Sequence, residues 1–316
     1  MMGKAWQLMV GMAAALAGCA VTPPASPPAS IADGDALFVP GSLELAATGY
    51  TFTEGPAWDG SRLIFSDIPG DTVYALVLSE GAPKVLYAPS AMANGHTFDR
   101  DGHLINAEHA SGEVTRWTRE AGRQTIVSTY QGKRLNSPND VVVRRDGMIF
   151  FTDPPYGLGQ RVAELDFSGV FAFDEASGRM AVIDDALARP NGLAFSPDER
   201  VLYVGDTATQ TLWAYDIAAD GTASGKRLVV DVTDDSKPGR VDGVRVDTKG
   251  HVYLTCPGGL CVVDPARRAV VARLETPKRA TNLAWGGADL SELYITALTD
   301  VYHVKTRARG IGSSSR

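Results

Sequence analysis

The sequence predicts an all-β chain, a six-bladed β-propeller whose four-stranded antiparallel blades surround a central channel. Three observations carry that prediction. From Asp35 onward, short runs rich in Val, Ile, Tyr and Phe alternate with Gly, Asp and Pro turns, and no helical period is visible. One unit recurs about every 40 to 50 residues, the spacing of a four-stranded blade. Each copy opens with an oxygen-bearing side chain: Glu54, Asn94, Asn139, Asn191, Asp242 and Asn282.

The elements follow in order. Openings such as Glu54-Gly55-Pro56-Ala57-Trp58, Asn94-Gly95-His96-Thr97-Phe98 and Asn191-Gly192-Leu193-Ala194-Phe195 begin the innermost strand of each blade. A polar turn leads to a second strand, as in Arg62-Leu63-Ile64-Phe65-Ser66-Asp67 and Met148-Ile149-Phe150-Phe151-Thr152-Asp153. A third follows in most units, as in Thr211-Leu212-Trp213-Ala214-Tyr215. The last unit shows three strands, ending near Val301-Tyr302-His303-Val304, so Ser42-Leu43-Glu44-Leu45-Ala46 is expected to supply the fourth and close the ring. The propeller is placed at 35–309, with 310–316 a small, polar and disordered tail.

Composition narrows the function. A formal net charge of -7, with no basic stretch interleaved with aromatics, excludes a nucleic-acid partner. Lys4 precedes an apolar run of signal-peptide length, too short to span a membrane, that ends Leu16-Ala17-Gly18-Cys19. This resembles a bacterial lipobox. Residues 1–18 are therefore expected to be a lipoprotein signal peptide, and 19–34 a lipidated Cys19 with a Pro-rich tether. An exported, periplasmic domain follows, a monomer held to the membrane through Cys19 alone. Cys256 and Cys261 flank Pro257-Gly258-Gly259-Leu260, where either a cross-strand disulfide or two core thiols would fit.

Propeller geometry turns the repeat into a site. The opening residues point toward the axis at one end of the channel, and the second strands return to that end. Asp67, Glu108, His109, Asp153 and Asp206 then form an outer ring around the inner one. A single Asn or Asp at a strand start commonly satisfies only its own turn, but six in register gather hard oxygen donors. Calcium suits such a set, as do magnesium and manganese; zinc and iron(II) stay open. His103 and His251 follow turns on the far face, His303 packs in blade six, and His96 could approach the channel. Trp58 and Trp285 are expected between blades. Tyr156 could form a lid or pocket wall. No G-x-S-x-G elbow, phosphate loop or H-E-x-x-H is present.

The stretches Thr53-Glu54-Gly55-Pro56-Ala57-Trp58, Asn136-Ser137-Pro138-Asn139-Asp140-Val141, Phe151-Thr152-Asp153-Pro154-Pro155-Tyr156-Gly157 and Arg189-Pro190-Asn191-Gly192-Leu193 resemble the gluconolactonase/regucalcin (senescence marker protein) family, in its bacterial gluconolactonase-like branch. The resemblance implies one divalent cation, usually calcium, on Glu54, Asn139, Asn191 and Asp242. It also implies that Asp242 is the general base or holds the attacking water, and that Asn94 binds substrate or a metal-bound water. His109, Asn136 and Tyr156 are placed with Asn94 as substrate contacts. Where regucalcin members carry an Arg for substrate hydroxyls, this chain has Ser137. The implied activity is a metal-dependent opening of a sugar lactone to its aldonic acid. Hydrolysis of another ester or an organophosphate on the same metal is the alternative within the class. A non-enzymatic periplasmic binding scaffold is the alternative outside it.

Overall fold

The structure, a computed structural model, describes residues 37–312; the leader, Cys19, the tether and residues 313–316 lie outside the described residues. Six four-stranded antiparallel sheets follow one another along the chain, and a two-stranded ribbon, Thr129–Tyr130 with Lys133–Arg134, is inserted after blade two. The innermost strands are Thr53–Trp58, Ala93–Phe98, Val141–Val143, Pro190–Phe195, Val244–Val246 and Asn282–Gly286. The second strands are sandwiched between neighbouring blades, which explains their unbroken apolar runs. Leu63–Asp67, Ile149–Asp153 and Val252–Cys256 are buried along their whole length. Outer strands such as Lys84–Tyr87 have no buried residue.

Blade six is closed by Glu44–Thr48, pairing antiparallel with Asp300–Lys305. This strand starts two residues later than the sequence suggested, and it leaves no open seam between the two ends of the ring. Trp58 of blade one stacks on Tyr294 of blade six with centroids 5.4 Å apart. Trp285 meets Tyr253 of blade five at 4.9 Å, and its Nε1 donates to Val246 O at 2.9 Å. Both tryptophans therefore weld blades together. Of the expected tail, Gly310 donates its N–H to Leu290 O at 2.8 Å and bridges Asp247. Cys256 and Cys261 are joined as a disulfide across adjacent strands.

The inner ring is built by close backbone approach. In blades one, two and four the register slips at the ring position, between Glu54 and Ala57, Ala93 and His96, and Pro190 and Leu193. Such bulges re-aim a side chain out of the pleat. The glycine after the ring residue lets the next blade come against it. A Cβ on Gly55, where φ is 56°, would lie 1.7 Å from Asn94 O, and one on Gly243 would lie 2.1 Å from Asn282 Oδ1. Gly243→Ala is therefore expected to cost about 3 kcal/mol by forcing blades five and six apart. Gly102→Ala, where φ is 80° and nothing lies within 4 Å, loses only the left-handed backbone cost of about 1 kcal/mol. Urea melts of the two variants measure the difference, and equal losses would rule out the steric account.

Candidate functional site

Five of the six expected ring residues meet at one mouth of the channel, and blade six shifts the pattern by one: Gly243 N–H donates to Thr281 O at 2.9 Å, so Thr281 holds the ring position and Asn282 stands where Asp140 does in blade three. A Cβ on Gly55 would strike Asn94 O; Gly95 N–H donates to Asn139 O at 2.9 Å. Thr152 Oγ1 donates to Asn191 O at 2.8 Å, and Gly192 N–H to Asp242 O at 2.9 Å. Gly243 packs on Asn282, whose Nδ2 donates to Glu54 Oε2 at 2.9 Å and returns the circuit to its start. Residues far apart in sequence are thus fixed against one another around the mouth, with Thr281 at the depth of Asn139 and Asp242 in blade six.

In blades one, three and four the outer ring explains how the opening is aimed; in blade two the expected Glu108 is instead tied to Ser111, Thr115 and Arg123, and Asp71 accepts from Ser90 N and Met92 N. Asp67 accepts from Thr51 N and Phe52 N, both at 3.0 Å. Asp153 accepts from Asn136 N at 2.8 Å and Ser137 N at 2.7 Å, and Asp206 from Ala188 N and Arg189 N, both at 3.1 Å. In all three blades the donors lie three and two residues before the ring residue. These carboxylates are consumed in clamping the loop that delivers Glu54, Asn139 or Asn191. Blade five has Cys256 at the clamp position. There Thr255 Oγ1 takes over, accepting from Asp242 N at 2.8 Å and donating to Arg240 O at 3.0 Å.

Glu54 and Asp242 are the electrostatic centre. Glu54 is buried, and Oε2 accepts from Gly55 N at 2.5 Å besides Asn282. The two carboxyl groups lie within hydrogen-bonding reach of each other, so one proton can be shared between them. Burial pushes Glu54 up to about 7 against the pull of Gly55 N–H and the Asn282 amide, and buried Asp140 pushes the same way. Asp242 is raised well above the usual carboxylate range, first by burial and then by the charge of Glu54, with Arg279 opposing. Asn191 donates Nδ2 to Thr207 Oγ1 at 3.0 Å and leaves Oδ1 buried with no protein partner. A buried Glu54 and a partly exposed Asp242 within reach of each other, with an unpartnered amide oxygen at the same mouth, make a set that fits a hard divalent cation. Asn139, buried at the same level, adds the second amide.

The other sequence-predicted residues divide into two groups. Asn94 Nδ2 donates to His109 Nε2 at 3.1 Å, and its Oδ1 is buried without a partner. His109 is pulled down to about 4, first by burial and then by the Arg161 charge, so the imidazole is neutral at physiological pH. Tyr156 is exposed at the lip, its phenol reaching Thr207 and Asn191. Asn136 is committed to scaffolding: Nδ2 donates to Asp153 O at 3.1 Å and to Phe167 O at 2.9 Å, leaving only Oδ1 free.

Sequence reasoning missed the floor. Arg245 Nη1 reaches Asp140 Oδ2 at 3.3 Å, and both side chains are buried or nearly so. On its other side Arg245 lines a cavity of about 170 Å³ with Trp58, Phe98 and Trp285, opening toward the far face. The missed signal was a lone charge on the channel wall, where Ala57, Thr97, Val142, Ala194 and Ala284 stand in the other blades. Arg161 was missed too; it donates Nη2 to His109 O at 2.8 Å and Asn136 O at 2.6 Å from a long loop of blade three. On the far face Asp99, Asp101 and His103 bring metal-capable atoms within 4.8 Å of one another. Asp99 there accepts from Asp101 N, His103 N and Arg116 Nε, which makes the cluster a closed turn.

With this geometry in place, comparison with known proteins is decisive. Residues 52–299 match the SMP-30/Gluconolactonase/LRE-like region. The chain belongs to this family. A gluconolactonase of Zymomonas mobilis is 30% identical over 296 residues, covering 85% of this chain and 82% of the relative. The pentonolactonase XacC of Haloferax volcanii is 30% identical over 253 residues, 77% of this chain and 80% of the relative. Among solved structures, the gluconolactonase XC5397 of Xanthomonas campestris superposes with a TM-score of 0.79 at 31% identity, over 88% of this chain and 93% of that one. The six-bladed propeller is thus the architecture of a lactonase family.

Proposed function

We propose that the chain is a cation-dependent lactonase that opens an aldonolactone to its aldonic acid. The observation that carries this reading is buried Glu54 within reach of the partly exposed Asp242, with the unpartnered Asn191 oxygen at the same mouth. Glu54, Asn139, Asn191 and Asp242 would hold the cation, calcium before other hard ions. When bound there, such an ion supplies Lewis-acid polarisation of a carbonyl oxygen.

The chain's own groups do the rest. Glu54 is locked by Gly55 N–H and Asn282, and it keeps its orientation whatever occupies the mouth. Asp242 has its backbone fixed on both sides, by Thr255 Oγ1 at N–H and Gly192 N–H at the carbonyl, while its side chain is partly exposed. It is placed to take a proton from an incoming water. Burial and the charge of Glu54 raise its affinity for protons above that of an ordinary carboxylate, as taking a proton from water requires. The water oxygen bonds to the lactone carbonyl carbon, the ring C–O bond breaks, and the released alkoxide is protonated to a hydroxyl. Neutral His109 holds the Asn94 amide so that Oδ1 meets substrate hydroxyls. Tyr156 forms the outer wall beside Asn191. Placement outside the cytoplasm on Cys19 is part of the same reading, and the Cys256–Cys261 bond supports it, since disulfides persist in oxidising compartments.

A pH-drop assay with glucono-, galactono-, xylono- and arabinono-lactones tests the proposal. Acid release from at least one is expected, abolished by a chelator and restored by calcium. If none releases acid in a cation-dependent way, the propeller is a binding scaffold instead.

A further inference from the structure

We propose that the preferred lactone carries an anionic group on its carbon chain, and that Arg279 and Arg189 recognise that group. This deepens the lactonase reading and rests on it. The Arg279 guanidinium lies over the Phe52 ring, 5.6 Å from its centroid, and Arg189 lies over Tyr156 at 5.7 Å. Neither makes an ion pair or a side-chain hydrogen bond among the described residues. That stands out in a chain with seven more acidic than basic charges (37 against 30). Neighbouring lysines are neutralised: Lys278 pairs with Asp300 and Lys237 with Glu275, both at 2.9 Å.

Both arginines belong to the reacting end of the channel. Arg279 is close enough to Asp242 to oppose the rise in its proton affinity, and Tyr156 lies within the field of both Asp242 and Arg189. Arg189 is set by the Asp206 clamp two residues before Asn191. Arg279 also lines a pocket of about 210 Å³ with Arg240 and Gln210. Gln210 Oε1 accepts from Val241 N at 3.0 Å, which couples the pocket wall to Asp242. Asp234 and Asp235 face the same pocket, but Asp234 is turned onto Ser236 N and Oγ. A guanidinium stacked on an arene keeps its planar N–H edge for an oxyanion, and it matches carboxylate or phosphate better than a hydroxyl. Such groups also offset the repulsion an acidic substrate meets from the Glu54–Asp242 side of the mouth.

The test measures kcat/KM with calcium for glucono-1,5-lactone, D-glucaro-1,4-lactone and glucono-1,5-lactone 6-phosphate. It uses the unaltered protein, Arg279→Gln, Arg189→Gln and the conservative Arg279→Lys. At least one acidic lactone is expected to exceed the neutral one by about tenfold or more, as one charge-assisted hydrogen bond provides. The carboxylate and phosphate arms say which anion is meant. Each Gln substitution should shrink that preference by about tenfold, Arg279→Lys should retain part of it, and added salt should narrow it. A neutral lactone turned over as well as the acidic ones overturns the inference. So do Gln variants that lower all three equally, which would put the arginines on the carboxylate formed by ring opening. Failure to open any lactone, including the neutral four of the pH-drop assay, overturns the lactonase reading itself.

Discussion

Asp242→Asn is expected to lower kcat by about a hundred- to ten-thousand-fold, the usual worth of a general base, while weakening calcium affinity by only about tenfold. The substitution keeps an amide oxygen where the carboxylate oxygen was, so ligand count is preserved and one of two charges is lost. It removes a group at the mouth that is partly exposed and whose affinity for protons is raised by burial and by Glu54. Glu54→Gln should divide the other way. Glu54 is buried and tied to Gly55 N–H and Asn282, so losing its charge should fall on cation affinity, with turnover largely recovered at saturating calcium. Calcium titration by calorimetry, run beside kcat at saturating calcium, separates the two. If Asp242→Asn lost affinity and turnover in equal measure, Asp242 would be a ligand without a role in proton transfer.

The ring was legible in the sequence because duplication repeats both the side chain and its setting. The Gly after Glu54, Asn94, Asn191 and Asp242 recurs for one steric reason, and so does the polar end of the second strand. What the repeat conveys is position. It does not convey partner choice, so Asp67, Asp153 and Asp206 were recognisable as an outer ring, but their use on backbone N–H groups emerged only from the coordinates. Departures from the repeat were the least legible. Arg245 and Asp140 pair across blades three and five, and no local pattern links residues 105 apart. Arg161, Arg189 and Arg279 stand on loops that differ from blade to blade, where specificity can vary without touching the ring. Cys256 shows the converse: it breaks the clamp pattern by bonding to Cys261, and Thr255 Oγ1 holds the Asp242 loop instead.

Raising the pH from about 5 to about 7.5 should enlarge the thermal stabilisation that calcium confers. The carboxyl of Glu54 has an ordinary value of 4.5 and is pushed up to about 7 in the fold. Between those two values the folded chain binds more protons than the unfolded one, so without the cation stability falls as pH rises through that window. For Glu54 the loss is on the order of 3 kcal/mol by pH 7. His96 runs the opposite way. It is buried between Ser66 Oγ and Asn106 Oδ1, and burial pulls it down to about 4 from 6.5, so it adds stability as pH rises toward 6.5. The two slopes overlap, and a melting curve without calcium shows only their sum. The increment on adding calcium cancels the histidine contribution and isolates the carboxylates, because the cation competes with their protons. At about a hundred times Kd that increment should approach 5 to 10 °C near pH 7.5 and shrink toward pH 5. Glu54→Gln should flatten its pH dependence while leaving the His96 slope in place. A calcium increment that stayed constant from pH 5 to 7.5 would mean that Glu54 and Asp242 do not give up a proton to the ion, and the oxygen ring would lose its assignment as the cation site.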